Sequence, residues 1–484
     1  MHETPLNVRA ATRLHTDTLL THANVVGVGA GTRKKSGVTT DEPAVVVYVS
    51  HKLPREALEP HELIPETVWM DDTEVRTDVI EVGIPRFVAV DNAQYRPMRG
   101  GSQIQTALGG TGTAGAVMYD RRDQSVVLLT NNHVLTNPSS PMLVPANATV
   151  FQPAGGPSIG FTKRVYPIFS APLGASGYKW AGEVDAGIVS LNGNVAAQFD
   201  IVDVAGVHPF VVLPPYEGLK VVRRGYRSQL RDGTVEQVET TVIVTMSNGD
   251  RVKIGGTDSV FSIRSNEREI AAMPGDSGSL VVDTDGGASR GLVFASNGQS
   301  GGITWACNLG VVMSLLELDT PCNGALNVLI RRSVFRRLAD RWSMAELARA
   351  GSAGTGNGLI DEQIATMKRF RHGYLGTETE GTDGHELGAA LYRLAPALAV
   401  AITNDEDAAG LLERAFGDWL VQPTVFDMLE YRFRDESVNA MQDAFRYLQG
   451  LGADTGDLDV VASIFLHSGG SSVRELMVNR KLAA

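Results

Sequence analysis

The rhythm of apolar and polar positions divides the chain into three regions. Between Asn24 and Phe87 the runs are short and β-rich. Ala44 to Val49 reads AVVVYV, and Thr77 to Val82 reads TDVIEV, moving between polar and apolar residues. A two-residue period turns alternate side chains to one face, so these segments predict strands. From about Ile104 to Leu318 strand-like runs recur between turn signals: Asn192-Gly193, Asp232-Gly233, Asn248-Gly249-Asp250 and Asp285-Gly286-Gly287. Short strands punctuated in this way predict barrels or sandwiches. After about Asn323 the period lengthens. Val438, Met441, Phe445 and Leu448 fall on one face of a helix, and Ser343 with Glu346 has the spacing of a capping box.

The breaks between these textures suggest the domain plan. Arg96 to Gly101 (RPMRGG) reads as a linker, and Gly351 to Gly358 and Gly376 to Gly384 read as flexible connections. We expect an N-terminal β-rich segment over 1–95, a β-domain over 96–320 and a helical domain over 321–484. The β-domain divides into barrels of about 104–205 and 206–320. Glycine supports the β-rich reading, with 52 residues available for tight turns. Gly27, Gly29 and Gly31 have the look of a dinucleotide loop, but a second strand follows them rather than a helix. A phosphate site needs a helix N-terminus there, so a glycine-rich hairpin is expected instead.

Charge narrows the partners. A net charge of −12 disfavours nucleic acid and anionic membrane surfaces. The basic pairs Arg331-Arg332 and Arg336-Arg337 read as a solvated helix face. The longest apolar stretch, Leu394 to Ile402, is far shorter than the roughly 20 residues that span a bilayer. Met1 to Leu20 lacks the apolar core of a signal peptide, and two cysteines suit a reducing compartment. A soluble, cytoplasmic protein is the expectation, and the sequon Asn147-Ala148-Thr149 is then coincidental. Cys307 and Cys322 have no accessory ligands and no His-Glu-x-x-His run exists, so neither metal nor cofactor is expected.

Three segments carry chemistry. Pro274-Gly275-Asp276-Ser277-Gly278-Ser279 precedes the apolar run Leu280-Val281-Val282. A serine hydroxyl attacks only when a base takes its proton and donors hold the oxyanion. Glycine at 275 allows the backbone N–H groups of Gly275 and Ser277 to converge. Upstream, Leu128 to Leu135 (LLTNNHVL) ends an apolar run in a histidine, the side chain suited to general base work near neutral pH. Val184 to Val189 (VDAGIV) embeds Asp185 in apolar surroundings, a costly placement unless the carboxylate is paired. Each segment alone has an ordinary structural explanation. In the order His133, Asp185, Ser277, separated by 52 and 92 residues, they suggest a catalytic triad at the seam of two barrels.

TNNHVL, DAGIV and GDSGS together resemble the signature segments of trypsin/chymotrypsin-like serine peptidases, especially their bacterial, HtrA-like and cytoplasmic branch. Gly112-Thr113-Ala114-Gly115 is similar to the first barrel strand of such enzymes, and Gly225-Tyr226-Arg227-Ser228 to the segment opening the second barrel, with Tyr226 and Gln229 departing from that pattern. The N-terminal stretch Val25 to Gly83 also looks like the leader of that branch. The resemblance implies a mainly β fold: two six-stranded-type antiparallel β-barrels of the trypsin-like fold, followed here by a C-terminal α-helical region. It implies His133 as general base, Asp185 as its orienter, Ser277 as nucleophile, and Gly275 and Ser277 as the oxyanion hole. It places Ala271 at the base of the primary specificity pocket and Phe294, Ala295 and Ser296 on the wall that binds substrate. A small neutral residue at 271 favours cleavage after small or medium apolar side chains, although Glu267 or Glu269 could reach the pocket. No zymogen-type Ile-Val-Gly-Gly start is visible, so Asp276 needs another partner.

The function expected is a serine endopeptidase acting on protein or peptide substrates. The helical domain is expected to dock a protein partner or control access to the cleft. The alternative is a catalytically weak or inactive protease-fold scaffold that binds peptides.

Overall fold

The computed structural model describes residues 5–475 apart from 23, 36–37, 54–57, 60–61, 83–90, 137–146, 172–176, 207, 210, 247, 267–270, 285–286, 340–354, 371–382, 452, 454 and 466–470. Met1–Leu318 form one compact unit and Asp319–Ala484 a second.

In the first unit the strands Lys220–Gly225, Leu280–Asp283, Ser289–Ser296, Ile303–Asn308, Val260–Ser265 and Gln229–Thr245 pair in that order. Lys220–Gly225 also pairs with Gln229–Thr245, which closes the six into a ring. A second sheet runs Ala116–Asp120, Val126–Thr130, Gly187–Leu191, Ser158–Val165, Thr149–Phe151, Gln103–Thr106, Thr111–Thr113. The ring and the curved sheet share one apolar cluster in which Met118, Leu129 and Ile188 meet Leu280, Phe294 and Trp305. The chain is therefore mainly β, with the trypsin-like arrangement of half-barrel sheets and a C-terminal helical region. Some turn and linker signals misled. Asp232-Gly233 lies inside Gln229–Thr245, and the supposed linker contains the strand Met98–Gly100, paired with Ala197–Ile201.

The N-terminal strands extend the same sheet. Val25–Lys35 pairs with Gln229–Thr245 on one side and Val38–Val49 on the other, followed by Thr73–Glu81 and Thr67–Met70. The expected glycine-rich hairpin is present. Its glycines admit the neighbouring strand, since a Cβ on Gly31 would stand 2.7 Å from Gln237 Cγ. The AVVVYV run has no exposed face because its alternate residues enter two different cores. Val46 and Tyr48 join the barrel cluster, whereas Val45, Val47 and Val49 face Val8, Ala11 and Leu19. Those last three lie on the helix Leu6–Leu19, which the sequence reading did not anticipate.

The second unit is mainly helical over its described residues. The predicted stripe lies on Asp435–Gly450, with Met441, Phe445 and Leu448 buried and Val438 packed beside them. The capping box at Ser343 and Glu346 lies outside the described residues. Of the two supposed connections, 355–358 begins the helix Thr355–Phe370 and 383–384 begins Asp383–Asn404, while the remainder lies outside the description. The basic pairs are not a solvated face throughout. Arg332 bonds Glu406 and Glu413, Arg336 bonds Glu413 and Asp418, and Arg337 donates to the Val421 carbonyl. Among the described residues no helix is long and apolar enough to cross a membrane.

Candidate active site

The strand Val126–Thr130 ends where Asn131 starts the short helix Asn132–Leu135, which carries His133. Asp185 lies two residues before the start of Gly187–Leu191, the strand hydrogen-bonded to Val126–Thr130. That pairing brings residues 52 apart into contact. Asp185 Oδ2 bonds His133 Nδ1, and Oδ1 accepts from the His133 backbone N–H at 3.1 Å. The main chain of Asp185 is held as well. Its carbonyl accepts from Asn131 Nδ2 at 2.6 Å, and its N–H points at Cys307 Sγ at 3.3 Å. The Asp185 side chain is 4% exposed and that of His133 17%, so the carboxylate is enclosed while the imidazole reaches an opening. The enclosed carboxylate is thus paired, which offsets the cost of its burial. Burial pushes the Cys307 thiol up, so it remains neutral behind Asp185.

Ser277 sits in a loop made of two consecutive turns. Asp276 N–H donates to Met273 O at 3.1 Å and Ser279 N–H to Asp276 O at 2.9 Å. Each turn has glycine in its third place with positive φ, Gly275 at 102° and Gly278 at 95°. That region favours glycine, and Pro274 suits the preceding place. Among the described residues, neither the Gly275 N–H nor the Ser277 N–H meets an acceptor. They are the two groups that the sequence named for an oxyanion. The Ser277 hydroxyl lies 3.4 Å from Phe294 O.

The curved sheet clamps this loop. Thr113 N–H donates to Ser277 O at 2.7 Å, and Thr113 Oγ1 donates to Gly275 O at 2.6 Å while accepting from Tyr226 N–H at 3.2 Å. Thr130 Oγ1 donates to Thr113 O at 2.8 Å. A Cβ at Gly278 would lie 2.0 Å from Thr113 O and 2.5 Å from Thr130 Oγ1, and one at Gly112 2.4 Å from Val134 Cγ2 and 2.9 Å from Ser277 O. These close approaches set Ser277 beside the helix that carries His133. Thr113 is a residue whose side chain the sequence reading did not single out. Its only signal was its place in the Gly-Thr-Ala-Gly segment.

The Asp276 side chain is fully buried. Oδ1 accepts from Ser228 N–H at 3.1 Å and Oδ2 from Met273 N–H at 2.9 Å, with Arg223 Nη1 3.4 Å away. A Cβ at Gly225 would lie 2.0 Å from Asp276 Oδ1, so the Gly-Tyr-Arg-Ser segment forms the socket for this carboxylate. Arg223 is the partner that the sequence left open.

The predicted substrate residues lie next to this loop. Gly278 N–H donates to Val293 O at 2.8 Å, placing the strand Ser289–Ser296 alongside. Ala271, Phe294, Ala295 and Ser296 are all buried. Glu267 and Glu269 lie outside the described residues. Among the described residues no cluster of metal-ligating side chains exists.

Residues 6–80 match the family model of the NARROW LEAF 1 N-terminal domain. No curated protein matches the chain. Among solved structures the chain is similar to Thermobifida fusca protease A, to a Cellulomonas bogoriensis chymotrypsin and to a Nocardiopsis protease. Each is 17% identical, over 46% of this chain and 97% of the other, with TM-scores of 0.32, 0.31 and 0.33.

Proposed function

We propose that the protein is a serine endopeptidase, with Ser277 as nucleophile, His133 as general base and Asp185 as its orienter. The observation that carries this reading is the enclosed Asp185 carboxylate bonded to His133 Nδ1; the backbone N–H groups of Gly275 and Ser277, which meet no acceptor among the described residues, support it. With Nδ1–H committed to Asp185, Nε2 is the nitrogen left to accept the Ser277 proton. Ser277 Oγ then bonds the scissile carbonyl carbon, and the oxyanion takes the Gly275 and Ser277 N–H donors. His133 returns the proton to the amine as the C–N bond breaks. Water, deprotonated by the same imidazole, releases the acid from the acyl-enzyme. Resemblance to the HtrA-like branch rests on the same three motifs. The buried, uncharged Ala271 supports cleavage after small or medium apolar residues. A peptide panel varied at P1 tests this, and fastest cleavage after Arg would refute it.

A fluorophosphonate probe tests the reading directly. We expect labelling of the full-length protein and none of Ser277→Ala. Absence of labelling in both favours the alternative, a protease-fold scaffold that binds peptides without turning them over.

A further inference from the structure

The N-terminal strands end on the wall of the candidate substrate pocket. Val82 follows Thr73–Glu81, and its carbonyl accepts from Asn297 Nδ2. Asn297 is the first residue after the wall strand Ser289–Ser296 and is 8% exposed. Its side chain also organises the loop that follows, because Oδ1 accepts from Ile303 N–H at 3.0 Å and Gln299 N–H at 3.3 Å. The next link reaches the pocket base: Gln299 O accepts from Ala271 N–H at 2.8 Å. Ala272 N–H is tied in turn to Thr304 Oγ1 at 3.0 Å. A Cβ at Gly302 would lie 2.2 Å from Asn297 Oδ1, so the loop is closed tightly around this one amide.

A second route joins the same parts. Tyr48, from the strand Val38–Val49, meets Trp305 edge-on with ring centroids 5.9 Å apart. Trp305 pairs in register with Ala295 of the wall. Tyr48 Oη also lies 3.1 Å from Ser262 Oγ, on the strand Val260–Ser265. Both the end and the middle of the N-terminal sheet therefore bear on residues 295–303.

We infer that Asn297 is a positioning residue for substrate selection, coupling the N-terminal β-segment to the shape of the pocket that receives the P1 side chain. The inference rests on the serine peptidase reading above. An amide is needed at 297 because the two functions require opposite polarity from one side chain. The oxygen accepts from the loop while the NH2 donates to Val82 O. Aspartate keeps the first and loses the second, setting a carboxylate against a carbonyl. Serine keeps a hydroxyl oxygen at Cβ but is too short to serve both ends.

The test compares wild type with Asn297→Asp and Asn297→Ser. Active sites are titrated with the fluorophosphonate, and kcat/KM is measured on peptides that differ only in an alanine or a leucine at P1. The ratio of the two values does not depend on the folded fraction. We expect labelling rates within about twofold of wild type and a P1 ratio changed by about tenfold or more in both variants, carried mainly by KM for the leucine substrate. A P1 ratio within twofold of wild type in either variant that labels overturns the coupling and leaves the peptidase reading standing. Failure of the wild type to label overturns the peptidase reading and the coupling with it. Should Asn297→Asp fail to fold, Asn297→Ser decides by the same ratio.

Discussion

Arg223 and Asp276 form an ion pair with both side chains out of solvent, 3% and 0% exposed, and Nη1 3.4 Å from Oδ2. The carboxylate belongs to the residue before the candidate nucleophile, and the guanidinium to the strand Lys220–Gly225. An internal cation thus anchors the Ser277 loop from within the chain. Replacing Arg223 by Met keeps the volume but leaves the carboxylate buried against Ser228, Met273 and nothing cationic at that position. Loss of one partner from such a pair costs about 3–5 kcal/mol. We expect urea unfolding to show a loss of that size and fluorophosphonate labelling to slow, since the loop loses its anchor.

Asp185 holds both the His133 ring and its backbone N–H. In Asp185→Asn the amide retains shape but can donate to Nδ1, which favours the opposite tautomer. Steady-state kinetics should show kcat reduced by about 10⁴-fold with KM little changed. A turnover within tenfold of wild type would remove Asp185 from the catalytic group.

Thr113 Oγ1 bridges Gly275 O and Tyr226 N–H. Thr113→Val is close to isosteric and removes only that hydroxyl, leaving two buried polar groups unmatched. The cost in stability should be about 1–3 kcal/mol, read by thermal or urea unfolding. The labelling rate should fall while Thr113→Ser restores it. A valine variant that labels as fast as wild type would show that the loop holds its geometry without the hydroxyl.

Asp120 gives a pH signature remote from the loop. Burial on its own would raise this carboxyl, but hydrogen bonds from Arg164 and Lys163 outweigh it and lower the pKa from 3.8 to about 2. A folded-state pKa below the unfolded value stabilises above the unfolded pKa and loses that contribution as pH falls through the folded one. The shift corresponds to about 2 kcal/mol. Asp120→Asn should therefore be less stable than wild type by about that amount at pH 7. The difference should shrink as pH drops from about 4 to about 2, measured by denaturant unfolding across that range.

The elements legible along the chain depend on short-range physics. AVVVYV is a strand because β-branched residues fit a pleated surface, and the stripe through Met441, Phe445 and Leu448 is a helix face because 3.6-residue periodicity leaves few alternatives. Elsewhere strand pairing overrides the local signal. Asp232-Gly233 has turn chemistry, yet it is held extended by strands on both sides, Lys220–Gly225 and Val260–Ser265. The helix Leu6–Leu19 shows little local signal and is fixed by the apolar surface of the N-terminal sheet that it covers.

The candidate site divides in the same way. The chain alone determined which residues are chemically able to act. A histidine at the end of an apolar run, an aspartate that must be paired, and a serine between glycines are legible because burial cost and backbone freedom are local properties. Only the tertiary structure decided who meets whom. Strand pairing brings Asp185 to His133, the ring of six strands carries Arg223 to Asp276, and Thr113 and Asn297 acquire roles through contacts more than 150 residues away in sequence, with Gly275 and Val82. Sheet register and packing fix such contacts through the whole hydrophobic core, and no window along the chain contains that information.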